Sequence, residues 1–240
     1  MELYHSVVHR TEELLSSSVP RHYPYDSSKA WKDTGAFSLV MLRDAAYELG
    51  GSSKPSVNFT CCTTSSALVE KDEILVIGPD LQEIREDSPY ARLAFLRVGD
   101  IESDDDNDTE TAFRAIQDMD FVKYHVFPEG YMLRTSSESH REQVRISKDA
   151  LYRGMSFEAI GNDFIRQYKK NPNVLAVKLL FITASEVNYD ELGKLAQKVH
   201  DITFGLSKIL EGLPTDCGNC QLKSVCDEVE GMKELHFGKK

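Results

Sequence analysis

The sequence predicts an α+β fold in which a mixed or antiparallel sheet is covered by helices, followed by a short cysteine-rich C-terminal module. Between residues 1 and 210, strand-like apolar runs and amphipathic helical patterns both occur, but they do not alternate as a doubly wound parallel sheet requires. Three of the five cysteines then fall within residues 211–240. We therefore expect an α+β domain at 1–210 and a metal-binding tail at 211–240.

The strands are predicted from short apolar runs bounded by turn residues. EILVIG at 73–78 is the clearest run, because the sequence Gly-Pro-Asp at 78–80 is a strong turn signal. VLAVKLLFIT at 174–183 is the longest apolar run, and EGYMLRT and QVRIS predict a β-pair around the polar loop SSESHRE. Further strands are predicted at AAYELGG (45–51), VNFTCCTT (57–64) and ARLAFLRVG (91–99).

Helical spacing of apolar residues predicts helices at 3–15, at about 109–119 and in SFEAIGNDFIRQYKK. A last long helix is expected to begin near Asn188, because Glu191 three residues later completes a capping-box pattern. We expect one face of this helix to pack on the sheet. That face is Leu192, Leu195, Ala196, Val199, Ile202, Leu206 and Ile209. Residues 19–36, rich in Pro, Ser and aromatics, are predicted to be irregular.

Charge and composition exclude several classes of function. The formal net charge of −11 argues against a nucleic-acid partner, which needs clustered Lys and Arg. No run approaches the roughly 18 apolar residues of a membrane span. The N-terminus has no apolar signal-peptide region and the number of cysteines is odd, so we expect a cytoplasmic protein without membrane contacts.

Basic residues are concentrated between positions 134 and 153 of an otherwise acidic chain. Guanidinium groups bind phosphates in a bidentate manner, so Arg134, Arg141 and Arg145 are candidate ligand-binding residues. The alternative is a solvated hairpin whose arginines form only surface ion pairs. By contrast, Cys61 and Cys62 lie within a predicted strand, where buried cysteines commonly serve core packing on opposite faces.

The tail carries the strongest chemical signal, because Cys217, Cys220 and Cys226 follow the spacing C-x2-C-x5-C. Thiolates are the preferred ligands of iron–sulfur clusters and of zinc, so the tail predicts a [4Fe–4S] cluster or, alternatively, a Cys3His zinc site with His236. Other candidates for the fourth ligand are Asp216, Asp227, Cys61, Cys62 or a residue of a partner chain. Without metal, the three cysteines would be free thiols or form one incidental disulfide.

Five segments occur in an order that points to one family: AYELGG, ALVEKDEILVIGPDLQEI, FPEGYMLR, VRISKDALYRGMSFEAIGNDFI and VKLLFIT. Over about residues 1–206 the chain resembles the middle region of acetyl-CoA synthase, the beta subunit of the carbon monoxide dehydrogenase/acetyl-CoA synthase complex. The patterns IxVIGPDxxxI and xRxSKDAxxxGxxF are the most specific parts of this resemblance.

The resemblance implies a role in carbon monoxide and acetyl-CoA metabolism. In the family, the acetyl group is assembled on a nickel–iron–sulfur centre held by a later domain, and an earlier Rossmann-like domain contacts carbon monoxide dehydrogenase. This sequence shows neither domain, and its tail cysteines do not match the nickel-site spacing. We therefore expect a stand-alone accessory, redox or binding module that is not catalytic alone, and we nominate no catalytic residue. Alternatively, the chain is part of a split CO-methylating acetyl-CoA synthase. Components of that complex, or a redox partner, are the expected partners.

The resemblance also implies coenzyme A as a ligand. The family's middle domain is thought to bind coenzyme A through arginines and a tryptophan near the loop after Glu-Gly. Arg145 in VRISKDA falls on a family arginine position. Here Glu129-Gly130 is followed by Tyr131, so that tryptophan is absent, and the single tryptophan of the chain, Trp31, lies elsewhere in the sequence.

Overall fold

The computed structural model describes residues 3–51, 53–99, 117–136 and 139–210. Their helices are α1 (His5–Leu15), α2 (Lys148–Tyr152), α3 (Phe157–Tyr168) and α4 (Tyr189–Leu210), with a further helical segment at 117–121. Their strands are β1 (Arg21–Pro24), β2 (Ala45–Leu49), β3 (Ser56–Thr63), β4 (Glu73–Ile77), β5 (Tyr90–Val98), β6 (Tyr131–Thr135), β7 (Glu142–Ser147) and β8 (Val174–Ile182). The mixed α+β class is therefore confirmed, whereas the cysteine-rich tail at 211–240 lies outside the described residues.

The larger sheet has five strands in the order β1-β4-β8-β5-β3. β4 runs parallel to β8 and β3 runs parallel to β5, whereas β1–β4 and β5–β8 are antiparallel pairs. The central strands β5 and β8 are almost wholly buried, as expected for strands covered on both faces.

A second, antiparallel sheet has the order β2-β7-β6. It contains the predicted pair of EGYMLRT and QVRIS, in which Leu133 lies opposite Val144. Glu142, Val144 and Ile146 are buried along β7, and the residues between them are partly exposed. One face of the small sheet therefore packs on the core, and the other faces outward.

Helices and the small sheet cover the two faces of the large sheet. On one face, α4 packs against β3, and His5 of α1 is bonded through Nε2 to Thr63 Oγ1 at 2.7 Å. The predicted apolar stripe of α4 is buried from Leu192 to Leu206, and Asn188 Oδ1 accepts from Glu191 N at the predicted cap. On the opposite face, the rings of Phe157 in α3 and Phe181 in β8 stack with centroids 4.6 Å apart.

The Gly78-Pro79-Asp80 turn links the large sheet to α3. Gly78 has φ +97°, and a Cβ there would lie 2.4 Å from the backbone nitrogen of Ala184, so the position requires glycine. The buried Asp80 carboxylate accepts from the backbone nitrogens of Leu81 at 2.6 Å and Phe157 at 2.8 Å. The IxVIGPD motif thus fixes the start of α3 against the end of β4.

One feature of the fold differs from the predictions. Residues 19–36 were expected to be irregular but contain β1, whose four residues add to the edge of the sheet beside β4. The neighbouring runs AAYELGG and VNFTCCTT form β2 and β3, which belong to different sheets. Of the helix predicted at about 109–119, residues 117–119 are helical and the remainder lies outside the described residues. Among the described helices, none has the length and apolar character needed to cross a membrane.

Candidate functional site

The outward face of the small sheet carries the predicted arginines, and we name it the arginine face: Glu48, Arg134, Arg141, Gln143 and Arg145. Arg134 of β6 lies opposite Gln143 of β7, and Arg145 lies opposite both Met132 and Glu48. Arg141 immediately precedes β7. Its carbonyl accepts a hydrogen bond from Ser136 N at 2.9 Å, which continues the pairing of β6 with β7. Because alternate residues share a face, the structure brings all three predicted arginines to one surface.

The three arginines differ in how they are held. Arg145 is 13% exposed; its Nε donates to Glu48 Oε1 at 2.6 Å and its Nη1 to the Val40 carbonyl at 2.9 Å. Arg141 Nη2 donates to two backbone carbonyls, those of Gly50 and Lys54. Arg134 is exposed. Because a guanidinium group has five N–H donors, Arg141 and Arg145 keep donors beyond these bonds, and Arg134 is the most accessible of the three.

Trp31 lies beside the candidate site, which the sequence did not reveal because Trp31 is 98 positions before Glu129. Its indole Nε1 donates to the Glu129 carbonyl at 2.8 Å, so the structure places the tryptophan at the Glu-Gly turn. The backbone segment that follows Trp31 is hydrogen-bonded to the segment around Glu129. Glu129 N donates to the Lys32 carbonyl at 2.9 Å, and Thr34 N donates to the Phe127 carbonyl at 3.0 Å. Trp31 is therefore distant from the Glu-Gly turn in the sequence but adjacent to it in the structure.

Arg153 lies against the ring of Trp31. Its guanidinium carbon is 5.4 Å from the indole centroid, within cation–π range. Arg153 also pairs with Asp149 at 2.9 Å and with Glu129 at 3.4 Å. The half-buried indole and the partly exposed guanidinium form a small aromatic–cationic surface beside the start of β6.

A cleft of about 110 Å³ opens along the edge of β6. Phe37 and Ser38 form one wall, and the core-facing side chains of β6 form the floor. The second wall consists of Tyr124, Val126 and Phe127. Two floor residues, Tyr131 and Thr135, extend toward the buried ion pair of Arg92 and Glu142. Tyr131 Oη lies 2.7 Å from Tyr90 Oη, and Thr135 Oγ1 donates to Glu142 Oε2 at 3.2 Å.

That ion pair joins Arg92 of β5 to Glu142 of β7. Arg92 Nε donates to Glu142 Oε1 at 2.7 Å, and its Nη2 donates to Oε2. The Arg92 guanidinium also lies 4.3 Å from the Phe164 ring centroid. Burial alone would lower the pKa of Arg92, but the Glu142 carboxylate shifts it upward overall. Burial raises the pKa of Tyr90 and Tyr131, so both phenols remain neutral donors beside the carboxylate.

The predicted metal site cannot be placed, because Cys217, Cys220, Cys226 and His236 lie outside the described residues. In the described part of the chain, no three His, Cys, Asp or Glu side chains lie close enough together to hold a metal ion. Cys61 and Cys62 are free and buried, with Cys62 Sγ 3.8 Å from Met119 Sδ. Burial raises the pKa of Cys62 to about 12 and that of Cys61 as well, which fits core packing.

Comparison with known families gives one finding. A family model described as the CO dehydrogenase/acetyl-CoA synthase complex beta subunit matches residues 38–187, more than half of the chain. A search of curated proteins finds no match. The matched range lies within the region of resemblance, is consistent with the middle domain and includes the IGPD turn, the arginine face and α3. The chain belongs to the CO dehydrogenase/acetyl-CoA synthase complex beta subunit family.

Proposed function

We propose that this chain acts in carbon monoxide and acetyl-CoA metabolism as a binding module for a phosphorylated ligand, coenzyme A. The observation that carries the proposal is the placement of Arg134, Arg141 and Arg145 on one face of the small sheet. Coenzyme A presents a 3′-phosphate and a diphosphate, and guanidinium groups bind phosphate oxygens with charge-assisted hydrogen bonds. Arg134 is the first contact in this proposal, because its side chain is exposed.

The Trp31–Arg153 contact supports the same ligand. Adenine stacks on aromatic rings and on guanidinium planes, and both groups lie at the turn that leads into β6, the strand of Arg134. The missing tryptophan after Glu129-Gly130 therefore does not remove an aromatic ring from this region. Trp31 supplies one from a distant part of the sequence.

The test is a titration with coenzyme A by isothermal calorimetry, with dephospho-coenzyme A and pantetheine as truncated ligands. We expect affinity to fall as the phosphates are removed. Arg134→Ala should weaken binding of coenzyme A about tenfold or more, as expected for a lost charge-assisted hydrogen bond. Arg10→Ala is the matched control, because Arg10 is an exposed arginine of α1. Absence of binding, or equal effects of the two variants, would reject the proposal.

A second candidate function rests on the spacing of Cys217, Cys220 and Cys226. We propose that these thiolates, with His236 as the fourth ligand, hold a [4Fe–4S] cluster that serves electron transfer or docking. Zinc bound by the same four residues is the alternative and would make the tail a structural clip. The partner in this proposal is a component of the carbon monoxide dehydrogenase/acetyl-CoA synthase complex or another redox protein, in the cytoplasm.

A further inference from the structure

Residues 37–41, which we name the strap, cross the outside of the small sheet without forming a helix or a strand, and Met41 has an extended backbone. Their exposed side chains alternate: Phe37 is 57% exposed, Leu39 67% and Met41 49%, whereas Val40 is 3% exposed. Alternation of this kind is typical of a strand with one face buried. Here the outward face is the apolar one, which makes the strap unlike the rest of the described surface.

The strap is held in place mainly through side chains. Val40 N donates to Met132 Sδ at 3.3 Å, Arg145 Nη1 donates to the Val40 carbonyl at 2.9 Å, and Ser38 Oγ accepts from Gly130 N at 3.2 Å. Among the described residues, the backbone N–H and C=O groups of Phe37 and Leu39 have no backbone partner. These backbone groups are therefore open to pairing with another extended chain.

The charges around the strap decide what kind of chain fits. The arginine face and residues 43–44, which follow the strap, carry four cationic side chains and two anionic ones. They are Arg43, Arg134, Arg141 and Arg145, against Asp44 and Glu48. This excess of positive charge contrasts with the net charge of −11 for the whole chain. A second copy of this chain would bring the same cationic surroundings, whereas an acidic segment is attracted.

We propose that the strap is a docking edge for an extended, acidic segment of a partner protein. The segment pairs its backbone with Phe37 and Leu39, and its alternate apolar side chains pack against Phe37, Leu39 and Met41. The cleft beside β6, of which Phe37 forms one wall, has room for one aliphatic side chain of the partner. Backbone pairing supplies affinity, and the cleft and the cationic surroundings supply specificity.

The test uses three fluorescein-labelled nine-residue peptides: one of alternating Glu and Val, one of alternating Lys and Val, and the Glu peptide with alternate amides methylated. Fluorescence polarisation should show saturable binding of the Glu peptide and at least tenfold weaker binding of the other two. Leu39→Asp should weaken binding of the Glu peptide tenfold or more. Val19→Asp is the matched control, because Val19 is a 91% exposed apolar residue on another segment. Bound peptide should also slow amide hydrogen exchange at residues 37–41.

Four outcomes would overturn the proposal. The first is that no peptide binds in a saturable way. The second is that the Lys peptide or the methylated peptide binds as tightly as the Glu peptide. The third is that Leu39→Asp has no effect on binding although the circular dichroism of the variant is unchanged. The fourth is a concentration-dependent dimer in sedimentation that Leu39→Asp abolishes, which would assign the strap to a second copy of this chain.

Discussion

Arg92 and Glu142 form an ion pair that ties the two sheets together, with side chains 1% and 0% exposed. Glu142 is the first residue of β7, and the outward residues Gln143 and Arg145 follow it on the same strand. A slip of β7 by one residue would turn these side chains inward. The buried pair therefore holds the register on which the arginine face depends.

Breaking this pair should strongly destabilise the protein. Glu142→Gln leaves the Arg92 guanidinium buried without a counter-charge, and loss of one partner of a buried pair costs about 3–5 kcal/mol. The double variant Arg92→Met/Glu142→Gln should lose less than the two single variants together, because no uncompensated charge remains. Urea unfolding of the three variants measures these free energies.

The control for this prediction is an exposed ion pair. Lys194, whose side chain is 72% exposed, pairs with Glu191 on α4, so Lys194→Gln should leave the free energy of unfolding nearly unchanged. If Glu142→Gln proves as mild as Lys194→Gln, the buried pair is not what holds the sheets together.

Asp163 should make stability depend on pH. Its side chain, in α3, is fully buried, and burial raises the pKa of the carboxyl from 3.8 to about 6. The nearby Asp33 carboxylate also raises this pKa, whereas Arg166 lowers it. The folded protein then binds a proton that the unfolded chain releases between about pH 4 and 6, so the free energy of unfolding should fall as pH rises through this window. Asp163→Asn removes the ionisation and should stabilise the protein at pH 7 by roughly 1–3 kcal/mol, with less gain at pH 4.

Urea unfolding at pH 4, 5, 6 and 7 provides the measurement. Asp118→Asn, an exposed aspartate of the 117–121 helical segment, is the control and should keep the wild-type slope between pH 4 and 6. The same slope in Asp163→Asn as in the wild type would show that another group dominates the pH dependence.

Trp31 should report ligand binding directly, because it is the only tryptophan of the chain. Adenine stacked on the indole should quench its emission as coenzyme A is added. Loss of a stacked aromatic ring costs about 1–3 kcal/mol per base, so Trp31→Ala should weaken binding about fivefold or more. Calorimetry measures the affinity of this variant, which lacks the tryptophan emission.

Trp31→Phe is the matched control, since it keeps a smaller ring and should fall between the wild type and Trp31→Ala. Arg153→Met tests the cation beside the ring and should weaken binding without removing the emission. Unquenched emission in the presence of saturating coenzyme A would place the ligand away from Trp31.

The sequence was informative where local pattern determines structure. Continuous apolar runs identified β4, β5 and β8, and helical periodicity identified α3 and α4. β1 was missed because four residues on a sheet edge, one of them a proline, carry no alternating pattern. Trp31 was missed because its partner is the carbonyl of Glu129, and a backbone acceptor leaves no mark on the sequence.

The arginine face lies between these cases. Clustering in the sequence identified Arg134, Arg141 and Arg145, but only the strand register shows that they share a surface. Arg145 donates hydrogen bonds to Glu48 in β2 and to the Val40 carbonyl in the strap. Both partners are about 100 residues distant from Arg145 in sequence. Long-range contacts of this kind cannot be derived from one segment.

The metal content of the tail gives the last prediction. Protein purified without oxygen should contain about four irons and four sulfides per chain and show a broad visible absorption band that fades on reduction. Cys220→Ala should lose the iron, because removal of one thiolate leaves too few ligands. Cys62→Ala is the matched control and should keep it, since Cys62 is buried against Met119. Zinc without iron would assign the tail a structural role, because zinc has no redox chemistry to offer an electron-transfer partner. A metal-free protein would instead leave coenzyme A binding as the one function proposed for this chain.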